Sequence, residues 1–221
     1  MTIAVVVFAL FMASMIGWLV RQSVGVRPWV ASGPSDAVLH PEDQTRQSLR
    51  LALVVLSAVI ASLFGLFLSA YLMRMTYADW RPMPEPTLLW GTTGILVLCS
   101  VVLQGAYFAA RSGREAALKA MLVAGGALSF AFVAGQYVVW QQLHAQGYYL
   151  DANPASAFFF VLTGLHALHV LGGLIAWGRT TMRAWGGGDP VGVRLGTELC
   201  AVYWHFLLAV WVVLFALLST T

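Results

Sequence analysis

Charge is what this sequence has least of. Only 10% of its 221 residues are Asp, Glu, Lys or Arg, where a water-soluble domain carries about a quarter. That scarcity excludes a solvated globular surface, and no nucleic-acid partner is expected. Cysteine is nearly absent. Cys99 and Cys200 have no CxxC neighbour and both fall in apolar runs, which argues against a disulfide framework or a thiolate metal site. There is no phosphate loop, no Ser–His–Asp set, no dinucleotide fingerprint and no low-complexity tract. The polar connections are too short to hold a folded catalytic module.

What is present is long stretches of hydrocarbon. Hydrophobic residues make up 60% of the chain and the mean hydropathy is +0.79. Six apolar runs, at about 3–20, 51–73, 88–109, 118–140, 157–178 and 198–218, each approach the roughly 20 residues that a membrane-spanning helix needs. They are continuous rather than alternating, which favours helices over a barrel. The expected fold is all-α, a polytopic membrane bundle of about six transmembrane helices. The first run, "MTIAVVVFALFMASMIGWLVR", lacks a basic leader and is followed at once by Arg21; it reads as a retained helix.

Cations set the orientation. Ten of the 12 Lys and Arg fall in alternate connections: Arg21, Arg27, Arg46 and Arg50; Arg111, Arg114 and Lys119; Arg179, Arg183 and Arg194. The remaining two, Arg74 and Arg81, lie on the other side. The positive-inside rule puts loops 21–50, 110–118 and 179–197 in the cytoplasm and both termini outside.

Residues 21–50, with Pro28, Pro34 and Pro41, read as a loop longer than most helix connections. It is either a tether for an added helix or a docking segment for a partner subunit. The division expected is an N-terminal helix with its linker over 1–47 and a five-helix bundle over 48–221. Prolines 82, 84 and 86 stiffen the second connection, and Trp80 and Trp90 flank it as interfacial indoles. Asn153 followed by Pro154 predicts a capped helix start.

Polar side chains inside the runs are few: Gln104, Gln136, His166, His169, Glu198 and His205. Each is a functional hypothesis by default. Measured from the inner ends of their runs, His169 lies roughly 14 Å deep and His205 roughly 10 Å deep, so the two could meet across a helix pair. Glu198 precedes His205 by seven residues and shares its face, while Trp204 and Trp211 share another. Three readings are open. The imidazoles could hydrogen-bond helices together; His169 and His205 could ligate haem or a metal; or the histidines could line a proton or lipid-headgroup site with Glu198.

"TGLHALHVLGG" at 163–173, followed by "ELCAVYWHFLLAVWVVLF", resembles subunit III of the haem–copper terminal oxidases of the cytochrome c oxidase type. The matching residues are Thr163, Gly164, His166, His169, Val170 and Gly173, then Glu198, Tyr203, Trp204, His205, Phe206 and Trp211. "FGLFLSAYLMR", "DWRPMPEPTLL" and the pair Gln136 and Trp140 are similar to earlier parts of the family, and the likeness covers about 48–218. Three departures stand out. The run 51–73 has no acidic residue where the family often has a glutamate; Leu207, Leu208 and Ala209 replace the aspartate that follows Y-W-H-F; and one extra N-terminal helix stands where longer members have two.

The resemblance implies a non-redox subunit of a bacterial inner-membrane oxidase. Such a subunit packs on subunit I beside subunit II, holds phospholipid, and supports proton uptake and durability during oxygen reduction. Haem and copper would sit in the partner subunits. His166, His169, His205, Trp204, Gln136 and Glu198 would then be structural, lipid-holding or proton-supporting residues, with the histidines joining helices. A quinol oxidase subunit III or a nitric oxide reductase accessory protein is the nearest alternative. A stand-alone transporter, with Gly125–Gly126 as a weak helix interruption, or a haem-binding membrane cytochrome, is further off.

Overall fold

The computed structural model describes residue 17 and residues 41–84 and 86–219. Among these residues there are five helices and no strand: α1 (Pro41–Arg74), α2 (Leu88–Arg111), α3 (Glu115–Ala145), α4 (Pro154–Trp185) and α5 (Pro190–Ser219). All five are long and apolar enough to cross a membrane. The expected span at 3–20 lies outside the described residues apart from Gly17. The chain divides into two compact units, Met1–Val59 and Ile60–Thr221.

In the first unit, residues 41–50 are helical rather than part of a linker. Hydropathy marks where hydrocarbon begins, whereas a helix continues into water for as long as nothing stops it. The same difference recurs at α3, α4 and α5, which have 31, 32 and 30 residues. Each is about 45 Å long against a hydrocarbon core of about 30 Å.

In the second unit, α2, α3, α4 and α5 form a closed ring of neighbours: α2 packs on α3 and α5, and α4 packs on α3 and α5. Short turns join them, and α2, α3 and α4 are each followed by a glycine at positive φ, Gly113 at 68°, Gly147 at 86° and Gly187 at 69°. L side chains resist that left-handed conformation. The later part of α1 buries Ile60, Phe64, Leu68 and Tyr71, a stripe at helical spacing. Phe64 meets the histidines of α4, and Tyr71 meets Phe158 at 5.4 Å.

The end of the bundle where α4 begins is tied down as the Asn–Pro pair suggested. Asn153 accepts from the Ala155 N–H at 3.2 Å, and its amide donates to the Arg81 carbonyl at 2.6 Å. This fixes the proline-rich connection to the start of α4. Trp80 lies edge-on to Tyr71, with ring centroids 4.9 Å apart. Arg74 pairs with Asp79, and its hydrogen bond holds that carboxyl below the ordinary carboxylate value.

Gly125 and Gly126 do not interrupt α3. They let it approach its neighbours: a Cβ on Gly125 would stand 2.6 Å from Leu103 of α2, and one on Gly126 would stand 2.0 Å from Trp177 of α4. Gly126→Ala must displace that indole and strain its 2.9 Å hydrogen bond to the Leu122 carbonyl. We expect a loss of about 1–3 kcal/mol, read as a lower thermal unfolding midpoint in detergent. Gly172→Ala, where nothing lies within 4 Å, should leave the midpoint unchanged.

Candidate functional site

The six candidate residues sit on α3, α4 and α5 within the second unit. α4 turns Thr163, His166, Val170 and Gly173 inward, the three- and four-residue spacing of one helical face. His166 is fully buried, and its ring is enclosed by rings: Trp211 of α5 at 5.0 Å, Phe132 of α3 at 5.8 Å and Phe64 of α1 at 6.4 Å. Neither ring nitrogen has a hydrogen-bond partner. His166 therefore fills an aromatic cage and does not bond across helices as expected. The indole N–H of Trp211, whose ring touches His166, is turned to Thr93 of α2.

His169 is half-buried, and its Nδ1 lies 2.7 Å from the Leu165 carbonyl of its own helix. His205 is exposed, and its Nδ1 lies 2.6 Å from the Ala201 carbonyl. A carbonyl only accepts, so both rings carry a proton on Nδ1, and in the neutral ring Nε2 is the acceptor.

The two rings do not meet. The Tyr203 hydroxyl donates to the His169 carbonyl at 3.2 Å, so Tyr203 faces α4. His205 lies two residues, or about 200°, further round the helix and faces away from α4. α5 starts at Pro190, so His205 is about 22 Å along the helix, while its depth counted from the start of the apolar run at 198 stays roughly 10 Å. Glu198 is half-buried and shares the His205 face by its seven-residue spacing. Among the described residues, no group of three or more His, Cys, Asp and Glu is arranged to hold a metal ion.

The bonds between helices are made largely by indoles. Trp204 donates to Ser129 of α3 at 3.0 Å, and Trp211 donates to Thr93 of α2 at 2.9 Å. Trp140 of α3 donates to Thr163 of α4 at 3.1 Å, and Trp177 of α4 donates back to the Leu122 carbonyl of α3 at 2.9 Å. Gln136 adds a bond from its Nε2 to Thr92 of α2 at 2.9 Å, while its Oε1 has no partner. Ser129 is a junction: its hydroxyl also bonds the Gly125 carbonyl at 2.8 Å and lies 3.2 Å from the Cys99 sulfur. A hydroxyl can donate to its own helix and accept from the next at the same time.

Sequence reasoning singled out Trp204 and Gln136 but missed Ser129, Thr92, Thr93 and Thr163 as acceptors. Such hydroxyls are unremarked in a helix until a donor from elsewhere reaches them. The available signal was Trp204 and Trp211, which lie inside a run rather than at its ends.

The profile of the family "cytochrome c oxidase subunit III" matches residues 44–220. Cytochrome c oxidase subunit 3 of Synechocystis sp. is 32% identical over 185 residues, covering 80% of this chain and 76% of its own. The probable cytochrome c oxidase subunit 3 of Nocardia farcinica is 30% identical over 169 residues, or 74% of this chain and 83% of that one. The subunit 3 of Thermostichus vulcanus is 27% identical over 195 residues, or 85% and 94%.

His166→Phe keeps a ring in the aromatic cage and removes two unpaired nitrogens. Its unfolding free energy in detergent should stay within about 1 kcal/mol of the parent chain or rise. Trp140→Phe strips the donor from Thr163 and should cost about 1 kcal/mol or more. The opposite order would show that the imidazole, not the indole, carries the bundle.

Proposed function

Since the chain belongs to the cytochrome c oxidase subunit III family, a multi-pass membrane subunit of a multi-subunit oxidase, we propose that its part there is structural. It packs on the haem- and copper-bearing subunit I, holds phospholipid against its outer faces, and sustains proton uptake and turnover without a redox centre of its own. The chemistry of oxygen reduction belongs to the partner subunits.

The observation that carries this reading is where the polar groups go. Trp140, Trp177, Trp204, Trp211 and Gln136 are committed in pairs to neighbouring helices, a use that makes a scaffold. We assign contact with a lipid headgroup or proton support to His169 and Glu198, both half-buried. Leu66 and Met73 of α1, exposed at 71% and 65%, suit contact with acyl chains. The charge asymmetry supports a bacterial inner-membrane orientation. The segments 110–119 and 179–197 carry Arg111, Arg114, Lys119, Arg179, Arg183 and Arg194 and face the cytoplasm, and Arg74 and Arg81 lie outside.

Purifying the tagged full chain from its own membranes in mild detergent tests the proposal. It should bring a larger subunit with haem absorbance. After the subunits are separated, the chain itself should show no Soret band. A chain that comes alone, or that keeps a Soret band when separated, overturns the reading.

A further inference from the structure

α5 is the most enclosed helix of the bundle, with 50% of its most apolar window buried against 22% for α1. Part of what it leaves open is a stripe at heptad spacing. Val202, His205, Ala209, Val212 and Ala216 recur at alternating three- and four-residue steps, and each is half-buried or exposed. A seven-residue repeat of this kind meets a second helix along a shallow left-handed crossing.

The stripe differs from the other open faces. α4 turns outward Leu168 and Ile175, exposed at 62% and 64%, bulky side chains suited to acyl chains. The α5 stripe sets alanine and valine around an imidazole, flanked by half-buried Leu208 and Phe215 and continued toward the helix start by half-buried Glu198. The tautomer of that imidazole is fixed by its Nδ1 contact with the Ala201 carbonyl. Nε2 is therefore an acceptor held at mid-helix, facing out of the chain, where hydrocarbon has nothing to give it.

We propose that this face seats a transmembrane helix of another oxidase subunit, which donates a hydrogen bond to Nε2 of His205. The chemistry selects that occupant. An acyl chain has no donor, and a phospholipid headgroup lies about seven residues, roughly 10 Å, away along the helix. A second copy of this chain, packed about a two-fold axis, would bring like residues together and set acceptor against acceptor. A neighbouring helix can present a hydroxyl, amide or indole at the required level, and small side chains at Ala209 and Ala216 let it come close. The inference rests on the reading of the chain as an oxidase subunit.

The test uses the full chain in its own membranes. Ala209→Trp adds bulk on the stripe, and Ile175→Trp adds the same bulk on α4. Both should reach parent levels in the membrane. Ala209→Trp should lower recovery of the haem-bearing partner by about tenfold, and Ile175→Trp should not. His205→Gln keeps an acceptor near the Nε2 position and should retain the partner. His205→Asn reaches only the Ala201 carbonyl and should lose about fivefold in recovery. A photoreactive phenylalanine analogue at position 212 should form its adduct with another oxidase subunit. An adduct with a second copy, with lipid or within the chain, or full recovery with Ala209→Trp, overturns the assignment of this face. If the parent chain brings no haem-bearing partner, the oxidase reading fails and this inference fails with it.

Discussion

An indole N–H placed in hydrocarbon costs roughly 2–7 kcal/mol if it finds no acceptor, and this bundle places four of them at helix–helix contacts. Trp140, Trp177, Trp204 and Trp211 each find an oxygen on another helix, Trp204 across the ring on α3. Lipid tails are as apolar as leucine, so burying aliphatic side chains gives these helices little reason to associate. Directed bonds and close packing must supply the specificity, and here one side chain supplies both. Each indole fills a large volume and fixes a register through one short bond.

The remaining features follow from making room for those rings. Gly126 admits Trp177, and Gly173 admits the edge of Trp204, to which a Cβ would lie 3.0 Å. Ser129 and Thr163 give their protons to carbonyls of their own helices and keep lone pairs for the indoles. His166 sits among Phe132, Trp211 and Phe64 as a filler of matching shape. Once the tryptophans are in place, the donors near it are already engaged, and the imidazole is held by ring contacts alone.

The helices were legible because a span of about 20 apolar residues has few other uses, and the start of α4 was legible because Asn153 and Pro154 each suit only that position. Helix lengths were not. Residues 41–50 and 190–197 are polar enough to read as loops, but they lack a stop signal and remain helical. The roles of the histidines were misread for a physical reason. A backbone carbonyl has two lone pairs, and one is left after the helical bond is made. His169 and His205 therefore satisfy Nδ1 four residues back, on Leu165 and Ala201, a local solution that residue spacing does not reveal. Spacing did place Trp204 and Trp211 on one face of α5, and both are fully buried there.

The central claim is that an indole-to-hydroxyl bond, rather than ring volume alone, locks α5 to α3. A double-mutant cycle of Trp204→Phe and Ser129→Ala, read by unfolding free energy in bicelles, measures that bond directly. The two changes should couple by about 0.6–1.7 kcal/mol, with Ser129→Ala costing less once the indole is gone. Strict additivity, to within about 0.3 kcal/mol, would contradict it.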